Sequence, residues 1–193
     1  MVIYLCRDKL KIKKMNQTEK TKWVIDPAHS EINFKVKHLV ISNVTGGFDK
    51  FDATVYTHGD DFNDAQIEFK ADVNSINTNQ PDRDNHLKSP DFFDAVNHPE
   101  LTFVSKSLRK KGDSGFVLSG DLTIRGTTKT VQLEGEFGGI VKDPWGNTKA
   151  GFELTGKINR KEFGLHWNAV TEAGGVVVSD EIKLMMNVEL AKN

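Results

Sequence analysis

Between residues 31 and 190 the apolar side chains fall on alternate positions in eight separate runs, and a period of two is that of a β-strand with one buried face. In the first run Ile32, Phe34 and Val36 alternate with Glu31, Asn33, Lys35 and Lys37. Phe51, Ala53 and Val55 share a face of the second, and the third reads Ala65, Ile67, Phe69, Ala71, Val73. The alternation resumes with Leu101, Phe103 and Ser105, then with Phe116, Leu118, Gly120, Leu122 and Ile124, then with Val131, Leu133, Gly135 and Phe137. Ala150, Phe152, Leu154, Gly156 and Ile158 form the seventh run, and Ile182, Leu184, Met186, Val188 and Leu190 the eighth. Half-buried strands in this number either pack as two sheets or close into a barrel, and closure removes both edges. The breaks Asp113-Ser114-Gly115, Arg125-Gly126-Thr127-Thr128 and Asp143-Pro144-Trp145-Gly146-Asn147 are of hairpin length, so successive strands are expected to be neighbours. The expected fold is all-β: an eight-stranded antiparallel up-and-down β-barrel with short helical turns in its long connections.

Two connections are longer than a hairpin needs. Residues 77–99 contain Pro81, a helical turn expected over Asp82–Lys88, and the pair Phe92-Phe93; residues 159–179 carry Phe163, Leu165 and Trp167 before Gly174-Gly175. Apolar side chains in polar connections predict loops that fold down over an open barrel end. Small residues stand near the middle of several strands: Ala53, Ala71, Ser105, Gly120, Gly135 and Gly156. An eight-stranded barrel is just filled by its side chains or holds one ligand, so these positions leave volume, or the glycines serve the bends that let a sheet curve. On the first reading the lumen is dry and lined by Phe34, Val36, Phe69, Ala71, Phe103, Leu118, Leu122, Phe137, Phe152, Leu154, Leu184 and Met186. Burying a methylene contributes roughly 0.8 kcal/mol, so an apolar chain of about a dozen carbons reaches micromolar affinity after ordering costs.

Several segments stand in a specific order and spacing between about residues 22 and 191. The segments are Trp23-Val24-Ile25-Asp26-Pro27-Ala28-His29-Ser30, Val44-Thr45-Gly46-Gly47-Phe48, Arg83-Asp84-Asn85-His86-Leu87 and Ser89-Pro90-Asp91-Phe92-Phe93-Asp94. Later come Leu122-Thr123-Ile124-Arg125-Gly126-Thr127-Thr128-Lys129, Asp143-Pro144-Trp145-Gly146 and Asn159-Arg160-Lys161-Glu162-Phe163-Gly164-Leu165. Together these segments resemble the YceI-like family of polyisoprenoid-binding proteins. The resemblance implies a lipocalin-like barrel that holds an isoprenoid, an isoprenoid quinone or another long-chain lipid in its lumen, often as a homodimer, without catalysis.

A balance of 26 basic against 27 acidic residues gives no global field for nucleic acid, and the single cysteine, Cys6, allows neither an internal disulfide nor a cysteine-rich metal site. The apolar run Val2 to Cys6 is too short for a secretory signal and its lysines follow it. A cytoplasmic carrier or reservoir is therefore expected, with residues 1–20 as a poorly ordered tail, Met15 an alternative start, and 21–193 as the barrel domain. Asp26, His29 and Ser30 hold the residue types of a hydrolase triad, but a working triad is assembled from distant segments, so a turn before the first strand is expected and no catalytic residue is assigned. The six histidines lack helical zinc spacing, and no metal or cofactor is assigned. Arg83 and His86, three apart on the expected helical turn, are the candidates for a polar lipid head group; the competing reading is a local cluster with Asp82, Asp84 and Asp94. Trp145, at the tip of its turn, is the candidate for transient membrane contact, against packing on a barrel rim or in a dimer.

Overall fold

The computed structural model describes residues 20–169 and 177–193. Cys6, the expected tail before Lys20 and the Gly174-Gly175 pair lie outside them. The described residues form a closed, eight-stranded antiparallel barrel in which each strand pairs with its successor and the last returns to the first. Three of the eight are interrupted. β1 (Lys20–Ile25) and β2 (Glu31–His38) are halves of the first, β3 (Ser42–Phe48) and β4 (Phe51–His58) are halves of the second, and in the third the long β5 (Asp61–Asp72) is followed by the two-residue β6 (Ile76–Asn77). The rest are β7 (Glu100–Lys111), β8 (Gly115–Ile124), β9 (Thr127–Lys142), β10 (Thr148–Asn159) and β11 (Val178–Lys192). β11 closes the barrel on both halves of the first strand, through Ile25↔Leu190 on β1 and Phe34↔Leu184 on β2.

The first interruption has a local cause. Pro27 has no N–H to give a ladder, and a side chain fills the place of the lost backbone pair. Ser30 Oγ accepts from the Glu189 N–H at 2.9 Å and donates to the Glu189 carbonyl at 3.4 Å. The hairpin between β8 and β9 turns on Arg125 and Gly126, both in the left-handed region (φ 48° and 71°), and the β9–β10 turn is held by Asp143 Oδ1, which accepts from the N–H groups of Trp145 and Asn147. The expected helical turn is α1 (Pro81–Lys88), with Pro81 in its first turn and Gln80 as N-cap, accepting from the Arg83 N–H. No helix among the described residues is long and apolar enough to cross a membrane.

The two ends of the barrel differ. At the end where β9 stops and β10 begins, a plug of rings fills the interior. Phe62 stands 5.1 Å from Trp23, 5.7 Å from Phe137 and 4.9 Å from Phe152, and Phe116 meets Phe152 edge-on at 5.9 Å. Trp23 is fully buried there, and its indole N–H donates to Thr57 Oγ1. The other end is covered by the two long connections. Phe92, Phe163 and Leu165 are buried beneath it, and Arg125 Nη1 donates to the carbonyls of both Phe92 and Gly164, tying one connection to the other.

Candidate functional site: an apolar lumen

Between plug and cover the barrel holds a cavity of about 240 Å³, lined among the described residues by apolar side chains apart from Asn33 and Arg160. The inward face of each strand supplies it, because alternate side chains of a strand point the same way. Of the residues the sequence singled out, Phe34, Val36, Phe69, Phe103, Leu118, Leu122, Phe152, Leu154, Leu184 and Met186 lie on its wall. Ala71 and Phe137 do not. Ala71 is buried in the ladder opposite Phe51 and Leu101, and Phe137 stacks behind Phe152 at 5.1 Å as part of the plug.

The inward glycines do not make the hollow. A Cβ on Gly120 would enter the Phe103 ring, one on Gly135 the Phe116 ring, and one on Gly156 the Leu133 side chain. Each glycine is thus a slot into which a bulky neighbour on the adjacent strand folds. Ser105 likewise lines nothing; its hydroxyl accepts from the Ile67 N–H at 2.8 Å and donates to the Ala65 carbonyl at 3.1 Å. Of the small residues only Ala53 reaches the cavity.

Arg83 and His86 sit on α1 but neither reaches the cavity wall, which takes their neighbour Leu87 instead. Arg83 Nε and Nη2 donate to Thr78 Oγ1 and to the Thr78 carbonyl, both at 2.7 Å. His86 Nε2 lies 3.1 Å from Asp91, and its ring stands edge-on to Trp167 and Phe92 at 4.7 and 5.1 Å. Histidine and tryptophan thereby join the two covering connections. Among the described residues the cation at the wall is Arg160, which no apolar alternation singles out.

The profile of the YceI-like domain matches residues 23–190. The chain belongs to the YceI-like domain family. A UPF0312 protein of Staphylococcus aureus strain USA300 is 38% identical over 172 residues, covering 89% of this chain and 98% of that one. The Campylobacter jejuni YCEI crystal structure superposes with a TM-score of 0.67 at 33% identity, covering 87% of this chain and 96% of that one. At 15% identity and a TM-score of 0.64, a structure described as a polyisoprenoid binding domain from Saccharophagus degradans shares the fold, covering 89% of this chain and 98% of that one.

In this YceI-like chain the Asp26-His29-Ser30 segment is a turn, as expected. Asp26 Oδ1 accepts from the Ala28 N–H, Ser30 bridges to β11, and His29 Nδ1 lies 3.0 Å from Asp26 Oδ2. The sequence could not show that Lys149 joins them, its ammonium 2.6 Å from Asp26 and 3.1 Å from Glu189. Bonds from Lys149 first, then from His29, hold the Asp26 carboxyl down at about 2. Carboxylate and imidazole ligand atoms of Asp26, His29 and Glu189 lie within 4.8 Å of one another, but Lys149 already bonds both acids, so the group is an ion-paired brace between β1, β10 and β11. Other wall residues, among them Phe62, Leu108 and Val178, escape the alternation. Phe62 and Ala65 are both buried on either side of Asp64, which takes φ 58° within a three-residue slip of the β4–β5 register that reverses the parity of β5.

Proposed function

We propose that this protein binds a long apolar lipid, a polyisoprenoid, isoprenoid quinone or long-chain amide, in the barrel lumen as a non-catalytic carrier or reservoir. The observation that carries the reading is a wall that has, among the described residues, no polar side chain but Asn33 and Arg160. Arg160 offers nothing to catalysis, since its donors are committed to protein oxygens. A dry pocket of this kind takes an apolar ligand, gaining roughly 0.8 kcal/mol per buried methylene. At about 240 Å³ it falls under the roughly 300–1,000 Å³ of drug-sized sites, which suits a narrow flexible chain better than a fused ring system. The description of the Saccharophagus degradans domain as polyisoprenoid binding points to the same ligand class. The test is to purify the full chain natively, extract it with organic solvent and identify what dissolves by mass spectrometry. A stoichiometric isoprenoid or acyl chain supports the reading; no lipid, together with no uptake of added polyprenyl or acyl chains, overturns it.

A further inference from the structure

The β2–β3 hairpin turns through Leu39, Val40 and Ile41, and this tip breaks two rules at once. Leu39 and Val40 take left-handed backbone, φ 51° and 65°, where asparagine and glycine are the inexpensive residues and a β-branched valine is strained. All three side chains face water, 38%, 68% and 86% exposed in chain order. Three consecutive exposed apolar residues do nothing for a closed barrel whose core lies elsewhere.

Below the tip the outer wall of the barrel carries lysines. Lys35 on β2 stands directly opposite Lys183 on β11, which stands opposite Lys157 on β10, and Lys37 lies two residues before the tip. Like charges placed directly across strands destabilise a sheet. Lys157 pairs with Glu181 at 3.0 Å, whereas Lys35, Lys37 and Lys183 form no salt bridge among the described residues. At about 3.3 Å per residue, Lys37 and Lys35 follow the tip by roughly 7 and 13 Å, the depth of a headgroup layer when an apolar tip is immersed. The base of the hairpin belongs to the lumen: His38 pairs with Val178, and Val36 and Val178 are wall residues.

We propose that the Leu39-Val40-Ile41 tip, with Lys35 and Lys37 of β2 and Lys183 of β11, docks this protein on an anionic lipid bilayer, with the covered end of the lumen against the membrane. Trp145, 84% exposed, lies at the plugged end, opposite the tip, so docking by the tip leaves it clear of the bilayer. The purpose of docking rests on the lumen reading, but docking itself is measured without it.

The experiment is flotation of the full-length, delipidated protein with phosphatidylcholine vesicles, with and without phosphatidylglycerol. The parent is expected to bind the anionic vesicles at least tenfold more tightly than the neutral ones. The triple variant Leu39→Asn/Val40→Gly/Ile41→Ser relieves the turn strain, so it should melt no lower than the parent and still take up a polyprenyl chain delivered from cyclodextrin, while losing at least tenfold in vesicle binding. Lys35→Gln/Lys37→Gln/Lys183→Gln should erase the preference for anionic vesicles, and Trp145→Ala should bind as the parent does. Equal flotation of the tip variant and parent, equal binding to both vesicle types, or loss on Trp145→Ala overturns the proposal. So does a parent that binds no vesicle; a tip-dependent dimer in sedimentation would then assign the surface to a second copy. Failure of uptake with vesicle binding intact strikes the lumen reading alone.

Discussion

A guanidinium carries five N–H donors, and in Arg160 each has an oxygen to meet. Nε donates to the Ser179 carbonyl, Nη1 to those of Leu165 and Trp167, and Nη2 to the Val178 carbonyl and Asp180 Oδ1, with the side chain only 3% exposed. Burial pushes its pKa down and Asp180 opposes that shift, so the charge is retained by a nearly complete shell of acceptors. Lysine brings three donors to those five acceptors. Arg160→Lys is therefore expected to cost roughly 3 kcal/mol, a melting point lower by about 10 °C for a chain of this length, read by thermal unfolding. Asp26 makes the complementary case at the other end of the lumen. Its carboxyl is held at about 2, chiefly by Lys149, against an ordinary value of 3.8. A carboxyl depressed on folding stabilises the protein above its unfolded value, and that contribution disappears as pH falls from about 4 to about 2. Asp26→Asn is expected to lose on the order of 2 kcal/mol at pH 7 and to flatten the acid limb of stability against pH in urea titrations.

At the scale of the strand, alternation is legible only while the register is unbroken. The runs of β8 and of the second half of β11 were read correctly because no bulge interrupts them. β7 and the β9–β10 pair each slip by one residue, between Ser105 and Ser107 and beside Gly151, and β5 slips by three around Asp64, an odd number in every case. Every slip turns the next apolar residue to the face that period-two counting calls polar, which hid Phe62 and Leu108. The first strand was seen only as β2, since Pro27 separates it from the half that carries Trp23 and Ile25. The mid-strand glycines were visible but their use was not, because the side chain filling each slot comes from the neighbouring strand. That use has a consequence. Gly120→Ala puts a methyl into the Phe103 ring and against the Val104 carbonyl, and the ring has to swing into the lumen. The expected cost is about 1–3 kcal/mol in chemical unfolding, with weaker chain uptake, since Phe103 is also a wall residue.

For the whole molecule, the question is why a barrel of long strands leaves its middle unfilled. β9 has 16 residues and β11 has 15, about 50 Å of strand at roughly 3.3 Å per residue, whereas strands of five or six suffice for most sheets. Length and closure supply stability in excess of what the lumen contributes, since the ring plug and the two tied connections hold both ends without it. A hollow core normally destabilises, by the dispersion contacts its wall forgoes. Filling it should therefore reveal whether the space serves packing or a ligand. Met186→Trp and Leu154→Phe add volume on the wall from adjacent strands, at the paired positions Leu154↔Met186. If the space is kept for a chain, the double variant is expected to melt at or above the ligand-free parent, by about 1 kcal/mol of recovered packing, and to lose uptake of a fluorescent polyprenyl or acyl probe at least tenfold. Added chain should raise the melting point of the parent and leave that of the variant unmoved, because a ligand stabilises only the protein that binds it. A variant that melts higher yet still takes up the probe would place the chain outside the lumen, along the covered rim rather than between the strands.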